Sequence, residues 1–301
     1  MTTSTGPAIE LRGLTKFYGR TIGVEAVTFS VAHGEVTGFL GPNGSGKTTV
    51  LRMLVGLISI TRGSARVLGL DVAAHGTEIR RSLGYLPGTL ALHKNLSVRE
   101  YLAFLSDIRG GGHEPHAHEL AERLGLRLDT AISGLSKGTK QKVGVVQAFM
   151  HQPRVLLLDE PTSGLDPLVQ HVFEAILAEA RDSGAAVLLS SHVMSEVDQL
   201  ASHVAVLDRG RLVAMDEVNA LKARMTHVLI FEFDHEVDPT PFTDCEGVVH
   251  VEARGRRVEC TVAGSQAAVL ALAARTGAVG VVSSDPDLED VFLSLTGNGR
   301  G

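Results

Sequence analysis

Residues 41–49 read GPNGSGKTT, a stretch that fits G-x-x-x-x-G-K-[ST] and leaves a chain few ways to fold. It lies between an apolar run, EVTGFL, that reads as a strand and GKTTVLRMLVGL, in which Val50, Leu51, Leu54 and Leu57 recur at helical spacing. Strand, glycine loop and helix in that order form the context that separates a phosphate-binding loop from a chance match. The glycines let successive backbone N–H groups turn inward around phosphate oxygens, and the helix N-terminus adds its dipole. In that arrangement Lys47 reaches the β- and γ-phosphates of a nucleotide and the Thr48 hydroxyl ligates Mg²⁺. Gly41, Pro42, Asn43, Gly44, Ser45, Gly46 and Thr49 complete the cradle.

The rest of the chain is organised around that unit. Residues 8–88 alternate short apolar runs with turn signals: AIELRGL, EAVTFSV, EVTGFL, ARVLGL and LGYLP read as strands. Residues 89–152 change to helical patterns, opening on Ser97 and Glu100 in capping-box spacing. Strands return at RVLLLDE, AAVLLSSH, VAVLDRG and RLVAM, with the helix VQHVFEAILAEARDSG between the first two, as parallel crossovers require. The sequence therefore predicts an α/β domain over residues 1–219 with a helical subdomain at about 89–152. A small α+β accessory domain follows over 220–301. In the latter, HVLIFEF, PTPFTD, VVHVEA, RVECTV, SQAAVLALAARTG and VGVVSSD give the order β-α-β-β-α-β, a split, ferredoxin-like sandwich. DLEDVFLSLTG reads as a closing helix.

Two strand ends supply the chemistry that a bound triphosphate needs. RVLLLDE is an apolar strand ending in two acids, which delivers the Asp159 carboxylate to a metal beside the phosphate loop. Glu160 stands one residue beyond the strand and is free to orient and polarise an attacking water. AAVLLSSH ends in His192 near the edge of a parallel sheet where ligands gather, which points to a γ-phosphate contact.

With LSKGTKQK (residues 135–142) upstream of the Asp159 strand and SGLD (163–166) after it, residues 8–218 resemble the ATP-binding-cassette (ABC) ATPases, the motifs occurring in family order. LSKGTKQK stands where the family carries LSGGQ; Ser136 and Gly138 fit that signature, while Lys137 and Thr139 depart from it. The resemblance implies Mg²⁺-dependent ATP hydrolysis and a shared site, in which Ser136 and Gly138 of one subunit cover the γ-phosphate held by the loop of another. One phosphate loop and one signature then imply a dimer, a homodimer if the partner is a second copy. Asp166 falls in the family's loop that speaks across the interface. Tyr18 falls where an aromatic stacks on adenine, the alternative being a packed edge tyrosine. Where the family usually has a glutamine touching Mg²⁺ or the lytic water, this chain has Gly88, followed by Thr89; either water fills the position or Thr89 partly substitutes.

A single cassette followed by a small α+β module resembles the ATPase subunits of bacterial ABC-2-type exporters. That implies a separate transmembrane permease and export of a drug, antibiotic or lipid-like substrate. The rival expectation is an ABC ATPase acting on the ribosome or nucleic acid. Against it, formal net charge is −6 and the 28 Lys and Arg form no long basic run. The longest apolar run, AAVLALAA, is far short of the roughly 20 residues that span a bilayer. Only two cysteines, Cys245 and Cys260, occur, and the start MTTSTGPAIE lacks a secretory pattern. The expected location is cytoplasmic, held to the inner face of the cell membrane through the permease. His113, His116 and His118, crowded with Glu114 in a glycine-rich stretch, read as a solvated loop.

Overall fold

In the computed structural model, residues 6–223, 226–284, 288, 289, 291 and 292 are described. In chain order the elements are β1 (Ile9–Tyr18), β2 (Thr21–Val31), β3 (Val36–Leu40), α1 (Lys47–Val55), β4 (Arg62–Val67), β5 (Leu70–Asp71), α2 (Gly76–Arg81) and β6 (Leu83–Leu86). Next come α3 (Val98–Ile108), α4 (Glu114–Arg123), α5 (Lys137–Phe149), β7 (Val155–Asp159), α6 (Pro167–Asp182), β8 (Ala186–Ser191), α7 (Met194–Leu200), β9 (His203–Asp208) and β10 (Arg211–Glu217). The last are α8 (Val218–Ala223), β11 (Thr226–Phe233), α9 (Thr240–Thr243), β12 (Val248–Arg254), β13 (Arg257–Ala263), α10 (Ala267–Thr276) and β14 (Ala278–Ser284). The chain divides into two compact units, Met1–Met215 and Asp216–Gly301, with the boundary inside β10.

In the larger unit a six-stranded sheet of order β10-β9-β3-β8-β7-β6 carries the phosphate loop. Its central strands are continuous apolar runs because both faces are covered: every residue of β3, β7 and β8 is buried. Side chains alternate between faces. Val155 and Leu157 of β7, with Ala186 and Leu188 of β8, pack into the cluster that holds Val50, Leu51 and Leu54 of α1 and the antiparallel sheet β2-β1-β4-β5. Leu156 and Leu158, with Val187 and Leu189, face the opposite cluster, built from Leu102, Leu120, Val143 and Val146 of the helical insert and Phe173, Ile176 and Leu177 of α6. Each fully buried leucine or phenylalanine contributes about 1.5–3 kcal/mol, so the sheet is clamped from both sides.

The helical insert forms as α3, α4 and α5, and the capping box at its entry is present, with Ser97 N–H donating to Glu100 at 2.8 Å. Two of the three histidines depart from the expected loop. His113 precedes α4, whereas His116 and His118 lie within it, because Pro115 sits in its first turn and Ala117, Leu120 and Ala121 bury a face that the glycines upstream obscure in the sequence. His116 pairs with Glu119 at 3.1 Å and His118 with Arg99 at 3.5 Å.

The smaller unit has a four-stranded sheet of order β12-β13-β11-β14, antiparallel throughout, the ferredoxin-like pattern of two split β-α-β halves. Leu229, Phe231, Phe233, Val258, Cys260 and Val262 form one face and pack with Phe242, Val269 and Ala273 of its helices. Of the expected closing helix, Leu288, Glu289, Val291 and Phe292 are helical, and the remainder lies outside the described residues. Among the described residues no helix is long and apolar enough to cross a membrane.

Candidate active site

The loop between β3 and α1 turns the chain at the carboxyl edge of the sheet. Gly46 caps α1 with φ 108°, and a Cβ there would stand 2.7 Å from the Gly23 carbonyl oxygen, so only glycine lets the backbone approach this closely. Lys47 opens the helix and folds its ammonium back onto the carbonyl oxygens of Gly41 and, at 3.3 Å, Pro42. Burial lowers the Lys47 pKa from the usual lysine range, while Glu160 and then Asp159 act in the opposite direction. The Ser45 hydroxyl is buried with no hydrogen-bond partner in the protein, a polar atom left able to pair with a ligand.

Strand register brings the acids and the histidine to this loop. Leu40 pairs with Ser191, Ser190 with Asp159, and Leu158 with Leu86, so β3, β8, β7 and β6 end level with one another. β8 thus lies directly between the phosphate-loop strand and the Asp159 strand. Both Asp159 carboxylate oxygens are engaged: Thr48 donates its hydroxyl at 2.8 Å and Ser190 donates at 2.5 Å.

Glu160 sits one residue beyond β7 with φ 53°, a left-handed conformation that costs a non-glycine residue roughly 1–2 kcal/mol. Both of its backbone polar groups are held. Its N–H donates to the Ser190 carbonyl at 3.0 Å, and its carbonyl accepts from the Gln141 side chain at 3.1 Å. Those bonds stabilise the turn that swings the Glu160 carboxylate out of line with the strand. There Oε2 lies 2.5 Å from Nδ1 of His192, whose ring is 56% exposed.

The signature helix α5 meets this turn from the other side. Ser136 caps it, accepting from Thr139 N–H at 3.2 Å, and Gln141 also donates to the Pro161 carbonyl at 2.8 Å. A Cβ on Gly138 would stand 2.4 Å from the Gly164 carbonyl oxygen, which accounts for a glycine at that place. Lys137, which the family signature lacks, reaches the Ser163 hydroxyl at 3.2 Å. Asp166 caps α6 and accepts from Val169 N–H at 3.1 Å.

A cavity of about 380 Å³ opens over the loop, lined by Pro42 through Thr49, Ile22, Gly23, Arg52, Gly88, Thr89, Asp159 and Glu160. His192 joins it through Glu160. Gly41, Tyr18, Ser136, Gly138 and Asp166 do not line it. Tyr18, 47% exposed at the end of β1, has Lys16 over its ring at 5.5 Å and lies beside Gly23, where a Cβ would come within 2.8 Å of it. A Cβ on Gly88 would lie 3.3 Å from Asp159 Oδ2, so a side chain at that position points at the carboxylate. Sequence reading missed Ser190, Gln141, Thr162 and Glu196, which hold the strand ends. The signal for Gln141 is an amide on the face of α5 that also carries buried Val145 and Ala148.

A phosphate loop at the edge of a parallel sheet, with a threonine–aspartate pair and a glutamate beyond it, defines a phosphate-loop nucleoside triphosphatase. Residues 24–163 match the ABC transporter family. The chain is 32% identical over 299 residues to the bacitracin transport ATP-binding protein of Bacillus licheniformis, covering 97% of this chain and 98% of that one. It is 34% identical over 300 residues to the Nod factor export ATP-binding protein I of Rhizobium meliloti, covering 96% and 88%. A solved structure of the ATP-binding subunit of an ABC transporter superposes with a TM-score of 0.68 at 31% identity, covering 71% of this chain and 92% of that one. The chain belongs to the ABC transporter ATP-binding proteins, and it is a nucleotide-binding ATPase of that class.

Proposed function

We propose that the chain powers export of a drug, antibiotic or lipid-like substrate through a separate membrane permease, working as a pair of copies that enclose ATP between them. The observation that carries the hydrolytic half of this reading is the Glu160–His192 contact at the rim of the nucleotide cavity. Lys47 turns its ammonium from the Gly41 and Pro42 carbonyls to the β- and γ-phosphates, and the backbone N–H groups of the loop bind the same oxygens. Glu160 accepts a hydrogen bond from the attacking water and polarises it for in-line attack on the γ-phosphorus. His192 orients Glu160 and contacts the γ-phosphate.

The hydroxyl of Thr48 and the carboxylate of Asp159, 2.8 Å apart on the cavity wall, are hard oxygen donors suited to Mg²⁺, with Asp159 as an outer ligand. When bound, the ion neutralises charge building on the phosphate oxygens.

Ser136, Gly138 and Asp166 lie away from the cavity of their own chain, which supports their serving the site of a second copy. Tyr18 would stack on adenine from its exposed place at the end of β1. Residues 1–219 form the cassette in this reading and 220–301 an accessory module. The chain would lie at the inner face of the cell membrane, attached through the permease. Full-length similarity to subunits named for bacitracin transport and Nod factor export supports the transport role. The test is affinity purification of the tagged chain from membranes. A polytopic membrane protein that stimulates its ATPase is expected to accompany it, whereas recovery with ribosomes or nucleic acid alone contradicts the proposal.

A further inference from the structure

We propose that Glu196 is a positioning residue for hydrolysis: its carboxylate ties the loop carrying Glu160 to the strand end carrying His192, and thereby fixes the contact between those two side chains. The inference rests on the reading of Glu160 and His192 as hydrolytic residues.

Glu196 lies in the first turn of α7. The Thr162 hydroxyl donates to its carboxylate, standing 2.7 Å from either oxygen, and the Ser191 hydroxyl donates to Oε2 at 3.0 Å. Thr162 is two residues after Glu160 on the same loop and is 5% exposed; Ser191 immediately precedes His192 and is fully buried. The Ser191 hydroxyl also accepts from Val193 N–H at 2.9 Å, so the backbone is held on both sides of His192.

This matters because the His192 ring is 56% exposed and has little packing to hold it in place. An exposed imidazole keeps a short contact only if its backbone is fixed relative to the partner. Ser190 and Gln141 hold the Glu160 backbone, and Glu196 joins the loop just beyond it to the His192 side. A carboxylate suits the task because it only accepts, and both hydroxyl protons are committed to it. An amide keeps one acceptor oxygen and turns an NH₂ toward the other hydroxyl.

The test compares ATPase kinetics and nucleotide affinity of the full chain with Glu196→Ala, Glu196→Gln and Gln199→Ala, the last an exposed control on the same helix. Affinity is read with a fluorescent ATP analogue. The expected result is a kcat loss of about 10-fold or more in Glu196→Ala with nucleotide Kd within about 2-fold. Glu196→Gln recovers part of the rate and Gln199→Ala matches the parent. Independently of turnover, the ring resonance of His192 in ¹³C-histidine spectra, assigned with His192→Ala, is expected to shift in Glu196→Ala toward its place in Glu160→Gln. An unchanged kcat, an unmoved His192 resonance, or equal losses of rate, affinity and thermal stability would overturn the proposal. A parent chain that binds nucleotide but does not turn over alone leaves the spectra to decide. A chain that binds no nucleotide contradicts the ATPase reading instead.

Discussion

Thr48 and Asp159, 111 positions apart in sequence, meet at 2.8 Å where the phosphate-loop helix faces the end of β7. The aspartate's other oxygen is taken by Ser190, so the carboxylate has a single defined orientation toward the loop. Asp159→Asn keeps the shape and removes the charge. It is expected to lower the ATPase rate about 100-fold while nucleotide binding without Mg²⁺ is retained. A Mg²⁺ titration of rate and binding checks both parts.

Gly138→Ala places a methyl group 2.4 Å from the Gly164 carbonyl oxygen, and neither neighbour is a flexible side chain. Overpacking of this kind costs about 1–3 kcal/mol, and each kcal/mol lowers Tm by about 2–4 °C in a unit of this size. Gly134→Ala, where a Cβ meets nothing within 4 Å, is the matched control and should leave Tm in place. Differential scanning calorimetry of the pair reads the difference.

Thr89 and Gly88 line the cavity over the phosphate loop, at the place where the family usually carries a glutamine. If the Thr89 hydroxyl partly replaces that side chain, Thr89→Ala raises the Mg²⁺ concentration for half-maximal rate about 2- to 10-fold, the equivalent of one net hydrogen bond. An unchanged rate and Mg²⁺ dependence would leave the position to water. Gly88→Gln, whose Cβ has Asp159 Oδ2 at 3.3 Å, should fold and bring a side chain to the carboxylate.

His151 donates its Nε2–H to the Leu83 carbonyl at 3.2 Å, and its Nδ1 is buried without a partner. Burial, then Arg109, pushes its pKa down from 6.5 to about 4. The neutral ring is therefore the folded form, and its contribution is fully present above pH 6.5. As pH falls from 6.5 through about 4 the unfolded chain takes up a proton first and that contribution is lost. His151→Phe is expected to flatten the dependence of the urea midpoint on pH across that window. A slope equal to the parent's would assign it to other groups.

Much of the site was legible because its residues are tied to local pattern. GPNGSGKTT stands between an apolar strand and an apolar helix, RVLLLDE ends in its acids, and period-2 alternation in HVLIFEF and RVECTV marks one buried face of the smaller sheet. The loop reading failed at His116 and His118, where the glycines just upstream masked the first turn of α4. What sequence could not disclose was register. The crossover through α6 makes β7 and β8 neighbours, but that β8 also pairs with β3 and that Ser190 falls on Asp159 and His192 on Glu160 depends on strand register. The clamps made by Gln141 and Glu196 escaped for the same reason, since each joins segments remote in the chain.

The most direct test of the account is the ATPase rate of the purified chain as a function of its own concentration, beside light scattering of Glu160→Gln with ATP. A site shared between two copies predicts a rate that rises with the square of concentration while the chain is largely monomeric, and a Glu160→Gln variant that holds ATP as a stable dimer. A rate strictly proportional to concentration, with Glu160→Gln monomeric and hydrolysing like the parent, would contradict it.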